Sequence, residues 1–199
     1  MRRRSVLLAA AALATAAILS GSASAGADHP RLIRWDMVQF SKPFPPPTIV
    51  LAGGTNTATD PATGDTVTLT GSGQAEPGRH RAAGGGTLVH TDAHGTVVAE
   101  AFYVVTGFVS FRRVAGSLVG TGIIDGIGFV DETSSGVLRM RVKIVDADGT
   151  VLGRGTLTVH CSLPGAPPGG LEGSQLRVRN GPQFTHIEEG SFTLFHLLR

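Results

Sequence analysis

The side chains that could act on a substrate or hold a metal are few, and their spacing says more about turns than about chemistry. Histidines stand at positions 29, 80, 90, 94, 160, 186 and 196, and only His90 and His94 are close enough to suggest a shared metal. They sit at opposite ends of the turn signal Asp92-Ala93-His94-Gly95, so an incidental, partly solvated pair is the expectation. Asp146-Ala147-Asp148-Gly149 begins like a calcium loop, yet an EF-hand would need an oxygen ligand at Ile144 and a carboxylate at Gly155. It reads as a turn, and no metal site is expected.

Nucleophiles are no better supplied. No serine after residue 25 stands in a Gly-x-Ser-x-Gly frame, and a serine triad assembled from distant positions would leave no local mark. Gly120-Thr121-Gly122 lacks the third glycine of a dinucleotide loop and lies in strand-like sequence. Cys161, the single cysteine, shares its parity with Leu157, Val159 and Leu163 and is expected in the core rather than as a reactive thiol. No catalytic residue and no cofactor are assigned on these grounds.

Two constellations remain as binding candidates. Trp35, Tyr103 and His196 are the polar-tipped groups expected to project from apolar faces, and they would orient a small apolar ligand if the fold encloses a cavity. Without one they complete the core. Arg139, Arg141, Lys143 and Arg154 should share an exterior face across neighbouring strands, a basic stripe suited to an anionic surface such as a cell-wall polymer. The competing role for such a stripe is to keep sheets from aggregating.

Positioning these groups falls to β-structure. Helix-period stretches are scarce, and short alternating runs are separated by Gly, Pro, Asp and Asn. In GVLRMRVKIV, Leu138, Met140, Val142 and Ile144 share one face while Arg139, Arg141 and Lys143 share the other. The turn at Gly149 leads to RGTLTVHCSL, completing a hairpin. A second hairpin joins GTLVH to the run TVVAEAFYVVTGFVSF, in which Val97, Ala99, Ala101, Tyr103, Val105, Val109 and Phe111 have one parity. A straight strand of that length would span about 50 Å, so a bulge or kink is expected at Gly107. Further strands are predicted at 33–40, 66–70, 118–130, 176–179 and 192–198. With about eight to ten strands, the chain should be all-β, a single antiparallel β-barrel or, as the alternative, a β-sandwich. Residues 42–47, rich in proline, should form an extended connection after the first strand.

The beginning of the chain has export chemistry. Basic Arg2, Arg3 and Arg4 precede an apolar run over 6–19 and the small-x-small sequence Ala23-Ser24-Ala25, the pattern of a cleavable signal peptide over 1–25 followed by one β domain over 26–199. The run is too short for a membrane anchor, so no membrane span is expected after cleavage and the domain should be secreted. Arg3-Arg4-Ser5-Val6-Leu7 also fits the loose twin-arginine pattern, leaving both export routes open. Of 17 basic and 15 acidic residues, three basics leave with the signal, so the domain carries a charge of about −1. That balance argues against nucleic acid as a partner.

Ile33-Arg34-Trp35-Asp36, Leu69-Thr70-Gly71-Ser72-Gly73, Gly84-Gly85-Gly86-Thr87, the run from Val105 through Phe111, Cys161-Ser162-Leu163-Pro164-Gly165 and Leu194-Phe195-His196 together resemble an uncharacterised family of small β-rich bacterial proteins common in actinobacteria. The resemblance covers most of the domain and implies no assigned activity, so it carries no functional residue. The glycine punctuation is also loosely similar in architecture to allene oxide cyclase and dirigent-type barrels. The functional expectation is a noncatalytic barrel that binds a small apolar ligand, a cell-wall component or a protein partner. The alternatives are a cyclase or isomerase with an apolar pocket and, through loop 164–170, an extracellular protease inhibitor. If the signal reading is right, N-terminal sequencing of secreted protein returns a chain beginning at Gly26; a chain beginning at Met1 contradicts it.

Overall fold

A computed structural model describes residues 31–41 and 47–198 of the chain. The segment 1–25 read above as a signal peptide lies outside the described residues, as does most of the proline connection. The elements in order are β1 (Leu32–Phe40), β2 (Ile49–Ala52), β3 (Thr55–Thr59), β4 (Thr66–Thr70), β5 (Ser72–Glu76), β6 (Arg81–Thr91), β7 (Val97–Val114), β8 (Ile124–Asp125), β9 (Thr133–Val145), β10 (Val151–Cys161), β11 (Gly173–Val178), β12 (Gln183–Phe184), β13 (His186–Ile187) and β14 (Phe192–Leu198). Among the described residues the only helical pieces are single 3-10 turns at Pro77–Arg79 and Val130–Glu132.

Six antiparallel strands close a ring in the order β1, β5, β6, β7, β9, β14 and back to β1, which makes the fold a barrel rather than a sandwich. The ring is held unevenly. β1 and β14 pair from Leu32 opposite Leu198 to Val38 opposite Phe192, whereas β14 meets β9 only through Phe195 opposite Ser134 and His196 opposite Thr133. Beyond that short seam the edge of β9 passes to β10, which leads on to β11 and β12. The edge of β6 is divided in the same way, with β5 on residues 81–85 and β4 on residues 66–69 facing 88–91, and β4 leads on to β3 and β13.

The two outer arms are tied by the segment 183–187, which pairs first with β11 and then with β3, and by side chains. Ser174 Oγ donates to Asn56 Oδ1 at 2.8 Å, Asn56 Nδ2 donates to the Phe192 carbonyl at 3.0 Å, and the Gln183 amide donates to Asp60 Oδ2 at 2.7 Å. Asn56 and Ser174 are fully buried, so each bond satisfies a group that would otherwise be costly to enclose. The ring and arms share one apolar cluster, from Trp35, Phe195 and Tyr103 to Leu69, Leu157 and Leu176.

β7 explains how a long strand serves a closed wall. Its register against β9 slips between Val105 and Gly107 and again between Phe108 and Ser110, so Thr106 and Val109 are extra residues. Each bulge resets the parity: Val105 faces Val142, Phe108 faces Met140 and Phe111 faces Leu138. The expected bend at Gly107 is present, but the uniform parity from Val97 to Phe111 is not. Val109 is 43% exposed because the second bulge turns it outward, and Val97 is 52% exposed at the hairpin end, where β7 has outrun the interior.

Both predicted hairpins form, and their turns use one device twice. Asp92 Oδ1 accepts the His94 and Thr96 amides at 2.9 and 2.8 Å, and Asp146 Oδ1 accepts the Asp148 and Thr150 amides at 3.0 and 2.8 Å. The carboxylates that could have suggested calcium are thus spent on backbone amides. Residues 118–130 are mostly loop, contrary to the strand predicted there; only β8 ladders, in parallel with β2. Apolar alternation in that segment serves to pack Leu118, Ile123 and Ile127 against the core instead.

The ring is narrow where Trp35 lies. Gly73 on β5 and Gly84 on β6 face each other, and a Cβ on either would come to 3.0 Å from the Trp35 ring and collide with the backbone of the opposite strand. Replacing Gly73 with Ala should therefore destabilise the protein by about 1–3 kcal/mol or more, read as a lower denaturant midpoint. An unchanged midpoint would mean that the strands are not held this closely.

Candidate functional site

The outward faces of β7, β9, β10 and β11 form a continuous surface on which cations accumulate. Arg139, Arg141 and Lys143 alternate with the buried Leu138, Met140 and Val142, as the sequence indicates, and Arg154 stands directly opposite Lys143. β11 adds a cation the sequence reading did not include: Arg177 lies opposite Thr156, which in turn lies opposite Arg141. Arg179 follows, its amide donating to the Arg154 carbonyl at 2.8 Å. At the far end, Arg112 of β7 faces Val137, and His160 of β10 faces Val137 from the other side.

Among the described residues, ion pairs within 4 Å involve Arg34, Arg79, His90 and His196, and none involves a cation of this face. Like charges directly opposite each other on adjacent strands, such as Lys143 and Arg154, are unfavourable. The face thus holds a repulsion that an anion would relieve. It carries two clefts. One, about 550 Å³, lies among Arg141, Arg154, Thr156, Arg177, Arg179 and Asn180. The other, about 490 Å³, lies beneath loop 163–171 and includes Arg112, Arg139, His160 and Ser162.

Trp35, Tyr103 and His196 are not brought together. Trp35 and Tyr103 fill the interior, each with at most 1% exposure. The Tyr103 hydroxyl donates to the Thr70 carbonyl at 2.8 Å, and burial pushes its pKa up. His196 is buried as well but lies on the opposite face of β14, because Phe195, its neighbour, is the residue that faces Trp35. Its Nε2 lies 2.6 Å from Asp125 Oδ2, and both side chains are 1% exposed. Asp125 Oδ1 accepts the Ile127 and Gly128 amides at 3.0 Å each, and a Cβ at Gly128 would strike the imidazole. This pair, with Arg34 donating to the Ile127 carbonyl at 2.7 Å, holds loop 115–132 against the barrel.

Other titratable groups are structural in their contacts. Cys161 is buried as expected, its thiol donates to the Thr193 carbonyl at 3.3 Å, and burial raises its pKa well above the ordinary value. His90 bonds Asp65 at 3.0 Å and packs edge-on against Phe184. Among the described residues no three metal-ligating side chains cluster, and no helix is long and apolar enough to cross a membrane.

Glu172 escaped the sequence reading because a lone glutamate in a Gly-rich loop has no periodic signal. It accepts the Ser162 amide and, at 2.6 Å, the Thr193 amide, closing the base of loop 163–171. Burial pushes its carboxyl up to about 7, opposed by these amides and by the Thr193 hydroxyl. Arg177 and Arg179 had a signal available in their alternation with Leu176 and Val178, but six residues of strand are too little to assign a face before the neighbours are known. The chain matches no protein-family model, no curated protein and no solved structure among those compared.

Because the folded protein binds the Glu172 proton more tightly than an unfolded chain does, this group's contribution to stability is complete below about pH 4.5 and lost as pH rises through about 7. Glu172→Gln removes that loss. The stability of the parent relative to the variant should therefore fall by a few kcal/mol, order of magnitude, between pH 4.5 and 8. Parallel unfolding curves for the two proteins across that range would show that Glu172 is not held protonated.

Proposed function

We propose that this protein is exported and acts as a noncatalytic binding module that attaches to an anionic polymer of the cell envelope through the outward face of β9, β10 and β11. The observation that carries the reading is the group Arg141, Arg154, Arg177 and Arg179 around one cleft, with Lys143 alongside and no carboxylate within ion-pair distance among the described residues. A domain whose net charge is close to zero concentrates Arg141, Lys143, Arg154, Arg177 and Arg179 on this one face. Arginine suits the task, since its planar fork can meet phosphate or carboxylate oxygens with two bonds and is weakly hydrated.

An open sheet face supports a repeating ligand better than a compact one. Arg141 and Arg177 stand on β9 and β11, two ladder spacings or about 10 Å apart. Successive charges of a flexible polymer can reach both. The interior offers less to a small apolar ligand, because Trp35, Tyr103, Phe195, Met37 and Met140 already occupy it with under 2% exposure each. The same packing favours the polymer reading over a cyclase-type pocket.

Binding should be tested with poly(glycerol phosphate), using neutral dextran as the control. Affinity should fall steeply with added salt, and the double variant Arg141→Gln/Arg177→Gln should bind about tenfold more weakly while unfolding at the same temperature as the parent. Equal binding to dextran, or an affinity unmoved by salt and by the double variant, would refute the reading.

A further inference from the structure

We propose that the second cleft, beneath loop 163–171, is a separate site for a small amphiphile: one oxyanion, carboxylate or phosphate, carried on an apolar body. The argument begins with the floor. Arg112, Val137 and His160 form one row across β7, β9 and β10, which places Arg112 and His160 about 10 Å apart with Val137 between them. Arg139 is two residues from Val137 on the same face of β9, and Ser110 and Ser162 complete the polar lining. Three nitrogen-bearing side chains therefore converge on a space of about 490 Å³, within the range of small-molecule pockets.

What these groups lack points to an anion. Neither Arg112 nor Arg139 has a carboxylate within 4 Å among the described residues. The acid attached to this loop, Glu172, is turned away: its oxygens are taken by the Ser162 amide and by the amide and hydroxyl of Thr193. His160 lies 3.3 Å from Gln175 Oε1 through Nε2, and its pKa is lowered by burial and by the charges of Arg139 and Arg112. An oxyanion seated among the three would neutralise the arginines and draw a proton onto the imidazole.

The apolar body follows from the roof. Ala166, Pro167, Pro168 and Leu171 line the same space, and Leu171 is 51% exposed there. The roof is preformed. The Leu163 amide donates to Ser135 Oγ at 2.8 Å, the Ser117 amide donates to the Pro164 carbonyl at 3.1 Å, the Ala166 amide donates to the Leu163 carbonyl at 2.9 Å, and Glu172 ties the far end back to Ser162. A ligand entering a loop already held in place loses little affinity to ordering it. A cationic floor under an apolar, proline-stiffened roof fits a charged head with a short hydrocarbon tail better than a uniformly charged polymer, which has no use for Leu171.

Calorimetric titration with decanoate and with decyl phosphate tests this, using decanol as the neutral control. At least one anion should bind with a Kd on the order of 100 μM. Arg112→Gln and Arg139→Gln should each weaken it fivefold or more, whereas Arg141→Gln/Arg177→Gln, which addresses the polymer face, should leave it unchanged. Binding should also shift the NMR titration of the His160 ring to higher pH. The two headgroups separate carboxylate from phosphate. The proposal is overturned if neither anion binds, if decanol binds equally well, or if the Arg112 and Arg139 variants, folded by circular dichroism, bind as the parent does. Loss of binding only in the Arg141/Arg177 double variant would also overturn it, by assigning the anion to the polymer face.

Discussion

Closure of the wall through β7 is the constraint on which the remainder of the molecule depends. An eighteen-residue strand must pair with β6 from Val97 to Val104 and with β9 from Phe102 to Val114 while curving around a narrow interior. Bulges at Thr106 and Val109 supply the curvature, and they do so by discarding strict alternation. Each reset returns a large side chain to the inside, so Val105, Phe108 and Phe111 all reach the core despite their irregular spacing. Were the strand straight, Phe108 would point to solvent and the ring would remain open.

Curvature also sets what the interior can hold. The ring closes tightly enough that Gly73 and Gly84 must press backbone to backbone against the Trp35 ring, and Phe111 meets Phe195 edge-on with centroids 5.6 Å apart. Side chains occupy the space that a lipid-binding barrel would leave for its cargo. The recognition proposed for this protein accordingly lies on the outside. The sheet that walls the barrel presents its polar parity to solvent, and on β9, β10 and β11 that parity includes Arg139, Arg141, Arg154 and Arg177.

The same logic relates the two clefts. Both open on one face of the shared sheet, yet loop 163–171 covers one end and leaves the other bare. Glu172 makes that difference, because its carboxyl gathers backbone amides from Ser162 and Thr193 and so fixes where the loop turns. His196 and Asp125 perform a comparable service for loop 115–132 on the opposite side of β14, where the imidazole is engaged by the Asp125 carboxylate.

Local patterning was enough to determine the two long hairpins, the Asp-led turns, the burial of Cys161 and the outward parity of Arg139, Arg141, Lys143 and Arg154. Each depends on neighbours in the chain: period two sets a side chain's face, and a carboxylate two residues before an amide caps its turn. Closure into a barrel, the bulge that exposes Val109, the loop replacing a strand over 118–130, and the union of Arg177 and Arg179 with the basic stripe were decided only by the tertiary structure. They depend on which strand edges meet across long stretches of sequence, as with Asn56 and Ser174, and on how tightly the wall must curve. Pairing energies between such distant segments leave no periodic trace in either one alone, so the folded chain was needed to bring them into view.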